Sequence, residues 1–494
     1  MWLNQLLERN RQCFADRVAL IDERCTVTWR ELAERTTQLA QELAGLGIAP
    51  GDRVIVLSQD RIEVVESYFA LARLGAVFVP LNHSLSRSEI ADVIERVGAT
   101  AVLGESALLE RHMPLPGSIR ICRAFDKAHV SATPTTATPA APAMSADTDP
   151  LAILHTSATT GLAKGVVIDG RSLRAIALGW LSATGPHEDI VMVNCCPLYH
   201  GSMVVSLTYM AAGATVVLLS GFTPQKALEA VQRHRATHMW LVPQMLRFIL
   251  RTKVFSSTDL STLREILYGA APMPPSLYAD AAERIGCGFR QVYGMTEVGG
   301  PFVTLGPGEH PVPGDEEARI PCGRVIPGMS VRTISPQGHQ LPPGEIGEVV
   351  VRGPGIMQGY WNDPQATRQT IIDGWVRTGD LGFFDAEGRV HLVDRSKDLI
   401  IRAGQNVYPS EIERVLMSHP SVRDAAVVGV PDEDYGELPL AYVVTGGGTD
   451  GPALLDHLAK HLAPYKRPRQ VRFIGQVPRN PAGKVIKRLL RDQA

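Results

Sequence analysis

The sequence is short of net charge, of any cysteine pattern and of long apolar runs, and each shortage excludes a class of protein. The 49 lysines and arginines nearly balance 51 acids, leaving a formal charge of −2. No electrostatic footprint for nucleic acid or an anionic membrane surface is therefore expected. The seven cysteines form no CxxC pair, and Cys195 and Cys196 are neighbours. That spacing suits neither a zinc knuckle nor a disulfide framework and fits a reducing compartment. The start, Met1-Trp2-Leu3-Asn4-Gln5, lacks the basic region and apolar core of a signal peptide. Residues 190–225 contain no Asp, Glu, Lys or Arg, but Asn194, Pro197, His200, Gly201 and Ser202 interrupt them. The roughly 18 consecutive apolar residues of a bilayer span are never reached. A cytoplasmic chain with no membrane span is the expectation.

What is present points to an α/β protein. With 494 residues, two or more domains are expected. Thr28-x-x-Glu31 resembles a capping box, and Leu32, Leu39, Leu43 and Leu46 follow at helical spacing until Gly47. Residues 54–57 and 76–79 read as buried strands around a helix at 64–74, which implies a right-handed crossover and a parallel sheet. The same rhythm returns over 175–267. The Ala/Thr/Pro-rich stretch 124–146 reads as a long excursion within one domain. After Pro327 short alternating segments, 331–334 and 348–351, suggest antiparallel strands. The last hundred residues suffice for a small α+β unit.

Four segments carry chemistry. The first, Thr156-Ser157-Ala158-Thr159-Thr160-Gly161-Leu162-Ala163-Lys164-Gly165, follows an apolar run. Hydroxyls, backbone N–H groups and one lysine can wrap a polyphosphate, although the GxxxxGK[ST] spacing is absent. The second, Tyr293-Gly294-Met295-Thr296-Glu297, offers a ring for adenine, a hydroxyl for a phosphate and a carboxylate for Mg²⁺. The third is Thr378-Gly379-Asp380 with Asp394-Arg395-Ser396-Lys397-Asp398; an aspartate at a strand end suits the two hydroxyls of a ribose. The fourth, Asn480-Pro481-Ala482-Gly483-Lys484, is suited to clamping a carboxylate against a phosphate. Singly, these segments also read as a polar turn, a surface ion pair and a solvated lysine.

In this order, from Thr28-Trp29-Arg30-Glu31-Leu32 to the Lys484 loop, the chain resembles an acyl-CoA synthetase of the adenylate-forming (ANL) superfamily. The resemblance implies a large N-terminal domain of doubly wound sheets with a distorted β-barrel subdomain, and a small mobile α+β C-terminal domain. The expected boundaries are 1–394 for the AMP-binding domain, 395–397 for the hinge and 398–494 for the mobile domain. It implies ATP, Mg²⁺ and coenzyme A as cofactor and co-substrates, and a small-molecule carboxylic acid as substrate. Thr156, Ser157, Thr159, Thr160, Gly161 and Lys164 would grip the β- and γ-phosphates. Gly269, Ala270 and Ala271 would lie along the adenine with Tyr293, Gly294 and Met295. Thr296 would meet the α-phosphate, Glu297 the Mg²⁺, and Asp380 the ribose, assisted by Arg395. Lys484 would bridge the substrate carboxylate and the α-phosphate, with Lys397 as hinge. Gly404 would line the thiol tunnel, Tyr435 would stack on the CoA adenine, and Arg467 and Arg469 would hold its 3′-phosphate. His200, in Pro197-Leu198-Tyr199-His200, would line the acyl pocket.

The chain departs from the family pattern at Ala158, Ala163, Met203, Ala403 and Gln405. Residues 201–209 hold no acid to pair an α-ammonium, so an amino-acid substrate is not expected. Gly299 and Gly300 are expected to leave pocket depth, and Val298 and Met203 to make it apolar, which suits an aryl or medium-chain aliphatic acid. A ligase that loads a carrier-protein phosphopantetheine, and a non-catalytic nucleotide- or acyl-binding homologue, stand as the other readings. A homodimer is left open.

Overall fold

The computed structural model describes residues 2–126, 146–156, 164–185, 189–199, 201–311, 320–479 and 484–494. Two large sheets organise the first part of the chain. In the seven-stranded sheet, Arg53–Leu57, Val77–Leu81, Ala101–Gly104, Ile121–Ala124 and Pro150–His155 run parallel. Gly165–Asp169 and Gly359–Tyr360 close one edge antiparallel. Ile121–Ala124 and Pro150–His155, which flank the Ala/Thr/Pro-rich stretch, belong to one sheet.

The nine-stranded sheet has a parallel centre: Glu265–Gly269, His238–Leu241, Val191–Asn194 and Thr215–Leu218, with Gly288–Met295 beside the first. Five helices fill the space between the two sheets: Trp2–Cys13, Trp29–Gly45, Ile62–Leu74, Gly170–Thr184 and Ser202–Ala211. Ile62–Leu74 is buried almost all round, as a helix inside a layered core must be. Pro224–His234, Pro243–Arg251 and Pro275–Ile285 cover the far face of the nine-stranded sheet, and Arg87–Val97 that of the seven-stranded one.

The expected capping box is present: Thr28 accepts from the Glu31 N–H, and the Glu31 carboxylate accepts from the Thr28 N–H at 2.7 Å. The helix after it ends at Gly45, and Leu46, the last apolar residue in the pattern, is its C-cap.

A five-stranded antiparallel sheet follows, with Ser330–Ile334 paired to Gly347–Arg352 as the alternation predicts. Its strands Trp375–Phe384 and Val390–Arg395 lead to a single 3₁₀ turn, Ser396–Asp398. The final unit is a small mixed sheet of Ile400–Arg402, Gln405–Val407, Val422–Asp432, Gly436–Thr445 and Gln470–Phe473. Helices Pro409–Met417 and Gly451–His461 pack into one of its cores. No helix among the described residues is long and apolar enough to cross a membrane.

Candidate active site

The strands Glu265–Gly269 and Gly288–Met295 run side by side with Gly269 opposite Val292. Their carboxyl ends bring Gly269-Ala270-Ala271 and Tyr293 to one edge, the place where parallel sheets receive ligands. Gly269 has no room for a side chain: a Cβ would lie 2.4 Å from the Val292 carbonyl oxygen and 3.1 Å from the Trp240 ring. Ala270 then turns the chain through the left-handed region, φ 64°.

Asp380 lies inside the strand Trp375–Phe384, not at its end as the sequence suggested. Arg395 is its cross-strand partner. The carboxylate is 6% exposed and fully engaged: one oxygen accepts from the Tyr293 hydroxyl at 2.7 Å, the other meets Arg395 Nε at 2.5 Å. Thr378 orients it, donating its hydroxyl to the Val349 carbonyl and accepting from the Asp380 N–H at 3.0 Å. Burial and the Asp380 carboxylate push the Tyr293 phenol well up, so the ring remains a neutral donor.

Lys484 joins this group from the last residues of the chain. Burial pulls its ammonium down to about 8; Arg395 adds to the fall and Asp380 opposes it. Lys397 and Asp398 also act on it. Lys484 thus lies within electrostatic reach of both partners of the Asp380–Arg395 pair.

The segment expected to grip phosphate is carried on the hairpin Pro150–His155 and Gly165–Asp169. Thr156 and Lys164 close its neck, with the Thr156 N–H donating to the Lys164 carbonyl at 3.1 Å. Ser157, Ala158, Thr159, Thr160, Gly161 and Ala163 lie outside the described residues, as does His200. Thr296 and Glu297 occupy the short 3₁₀ turn Thr296–Val298 at the end of the Tyr293 strand. The Glu297 carboxylate accepts from the Tyr360 hydroxyl at 3.0 Å, and the Lys164 ammonium lies 4.8 Å from the centre of the Tyr360 ring.

On the acyl side, the segment leading to His200 is pinned from below. Asn194 accepts from the Cys196 N–H at 3.0 Å and the Ser202 hydroxyl at 2.7 Å, and Asp60 accepts from the Leu198 N–H at 2.9 Å. Burial pushes the Asp60 carboxyl up to about 7. Met203 and Val298 are buried, as an apolar pocket wall requires. Gly299 and Gly300, however, do not leave pocket depth. A Cβ on Gly300 would meet Val204 at 2.7 Å, and one on Gly299 the Gly355 carbonyl oxygen at 2.8 Å. Gly300 permits close packing against the helices and Gly299 against the Gly355 backbone instead.

The residues expected to meet the thiol acceptor gather on the final unit. Ala403 and Gly404 form a hairpin tip with φ 48° and 78°, and Gly404 faces open space. The Ala403 N–H donates to the Tyr435 carbonyl at 2.8 Å. The Tyr435 ring is exposed between two guanidiniums, Arg402 at 5.1 Å and Arg469 at 4.9 Å. Arg467 departs from expectation. Its Nε donates to the Leu462 carbonyl at 2.7 Å and an Nη to that of Ala459 at 2.9 Å, so it caps the helix Gly451–His461. Lys397 sits exposed in the turn Ser396–Asp398, beside Arg395, Asp398 and Arg491.

Sequence reading missed Tyr360, Asp60 and Asn194. The location of Asp60, just beyond the carboxyl end of a parallel strand, is the one signal that could have flagged it. Tyr360 carries no charge and lies 63 residues from Glu297.

Residues 7–361 match the family model of the AMP-binding enzymes, and residues 411–484 that of the AMP-binding enzyme C-terminal domain. The chain is 36% identical to a fatty acid–[acyl-carrier-protein] ligase of Streptomyces coeruleorubidus, over 96% of this chain and 93% of that protein. It is 36% identical to a feruloyl-CoA synthase of Amycolatopsis sp, over 93% and 92%. It superposes on the amide bond synthetase McbA of Marinactinospora thermotolerans with a TM-score of 0.88 and 32% identity, covering 99% of each chain. With the two family models covering both units and the motifs meeting at one edge, the chain belongs to the AMP-binding enzymes of the adenylate-forming ANL superfamily, as an AMP-forming acid–thiol ligase.

Proposed function

We propose that the protein activates an aryl or medium-chain aliphatic acid with ATP and passes the acyl group to coenzyme A. The observation that carries this reading is the convergence of Tyr293, Asp380, Arg395 and Lys484 at one site edge. In the first half-reaction, a carboxylate oxygen of the acid attacks the α-phosphorus, and the bond to pyrophosphate breaks. A carboxylate is a weak nucleophile and repels the triphosphate, so positive charge and alignment are what the site must supply. The Lys484 ammonium neutralises both anions at once, and the Thr296 hydroxyl donates to the α-phosphate. Asp380 exchanges its Tyr293 and Arg395 partners, in part, for the ribose hydroxyls. The thiol sulfur of coenzyme A then attacks the acyl carbon; AMP leaves, and the thiol proton passes to solvent.

Magnesium suits the Glu297 corner. Its carboxylate gives one oxygen to Tyr360 and has no further hydrogen bond among the described residues, leaving a hard oxygen donor. Among those residues no group of three His, Cys, Asp or Glu could hold a metal, and Mg²⁺ taken with a nucleotide usually needs only one or two carboxylates beside phosphates and waters. When bound, Mg²⁺ would supply charge neutralisation to the phosphate oxygens beside Glu297 and Thr296.

A panel of carboxylic acids with ATP and Mg²⁺, reading pyrophosphate release with and without coenzyme A, tests the function. Release with one acid class that turns over only with coenzyme A supports it. The second reading, transfer to a carrier-protein phosphopantetheine, is favoured by one observation: Arg467, one of the two arginines expected to hold a 3′-phosphate, is committed to a helix end. Turnover restored by carrier protein and not by coenzyme A would select that reading.

A further inference from the structure

Tyr360 stands between two groups of opposite charge that need to remain apart. Its hydroxyl donates to Glu297 at 3.0 Å, while its ring lies under the Lys164 ammonium at 4.8 Å. The backbone fixes it from both sides. Tyr360 pairs with Val166 in the edge strand, and its N–H donates to the Thr367 hydroxyl at 2.9 Å. The Trp361 N–H donates to the Gly165 carbonyl at 2.7 Å, one residue beyond Lys164. The phosphate-loop stem, the carboxylate turn and this tyrosine are therefore one fixed unit.

We infer that Tyr360 is a positioning residue: it keeps Glu297 and Lys164 from pairing with each other and aims them separately, so that metal and triphosphate are taken together. A lysine and a glutamate left to meet would form an ion pair and compete with both ligands. A phenol between them gives each a weaker partner that is readily exchanged, a single neutral hydrogen bond for the carboxylate and a ring face for the ammonium. The inference rests on reading Glu297 as the metal-holding carboxylate.

Calorimetric titration with ATP, with and without Mg²⁺, tests it in the full chain without turnover. Wild type is expected to bind ATP more tightly with Mg²⁺. Tyr360→Phe keeps the ring and loses the hydroxyl. It should weaken Mg²⁺–ATP binding by about five- to tenfold, the range of one lost hydrogen bond, and leave Mg²⁺-free ATP binding unchanged. Tyr360→Ala should weaken both. In a Glu297→Gln background, Tyr360→Phe should add little, since the two act as a pair. Wild type showing no gain from Mg²⁺ would overturn the reading of Glu297. A normal gain in wild type with an identical gain in Tyr360→Phe would overturn the role of Tyr360 alone, as would full additivity with Glu297→Gln.

Discussion

The nucleotide edge and the acceptor surface of the final unit are built on opposite plans. At the expected nucleotide edge the central carboxylate is already engaged: Asp380 holds Tyr293 and Arg395, and Lys484 is drawn into the same field. On the acceptor surface the ring of Tyr435 is exposed between Arg402 and Arg469, and Gly404 faces open space. A preorganised site stabilises developing charge without reorganising, whereas an open one has still to be completed. On the proposed function, the difference fits an arrangement suited to the first half-reaction, with another needed for the second.

Removing Lys484 should break the comparison most sharply. Lys484→Ala is expected to lower adenylation by about 10²–10³-fold, the usual effect of deleting one transition-state donor. Thioester formation from supplied acyl-adenylate should be spared. Equal loss in both half-reactions would show that the lysine serves the fold or both steps alike.

The turn between the two regions gives the converse test. Lys397→Pro restrains the single turn Ser396–Asp398. Single-turnover thioesterification should fall by about tenfold or more while pyrophosphate release in the first turnover changes little. Unchanged thioesterification would mean that the two regions need no rearrangement.

Acid–base behaviour gives a smaller and graded effect. The Lys484 ammonium is held down to about 8 by burial and Arg395, with Lys397 lowering it further and Asp380 and Asp398 opposing. A depressed lysine is charged below that pH and neutral above it. Accordingly, kcat/KM for ATP, which reports the free enzyme, should fall on an alkaline limb beginning near pH 8. A profile flat to pH 10 would mean that ATP binding does not depend on this charge.

The smallest effect belongs to Ala403. A non-glycine residue at φ 48° is strained by about 1 kcal/mol. Ala403→Gly should raise the stability of the chain by up to that amount and leave adenylation untouched, as thermal unfolding and pyrophosphate release would report. A loss of stability would mean that the methyl group packs against something the hairpin needs.

Much of this was legible in the sequence because it is local. The Thr28–Glu31 cap, the crossover at 53–81 and the pairing of Ser330–Ile334 with Gly347–Arg352 all follow from short-range pattern. Asp380 and Arg395 stood out because each lies in a recognisable motif, and the structure pairs them. What stayed hidden depends on tertiary partners. Asp60 meets Leu198 across 138 residues, and Tyr360 meets Glu297 across 63. Gly299 and Gly300 were read as empty space, since a glycine in sequence does not say whether its missing side chain is replaced by a cavity or by a neighbour. Arg467 was read as a phosphate ligand, but the nearest acceptors are the carbonyls of the helix just before it.

The cross-strand pairing of Asp380 with Arg395 has a mechanical consequence. Arg395 is the last residue of its strand, and the turn begins at Ser396. On the proposed function, a swing of the final unit that starts at this turn would pivot beside the carboxylate proposed to hold the ribose, where displacement is least, while the Gly404 hairpin would travel farther. The intermediate would stay parked while the groups around it are exchanged.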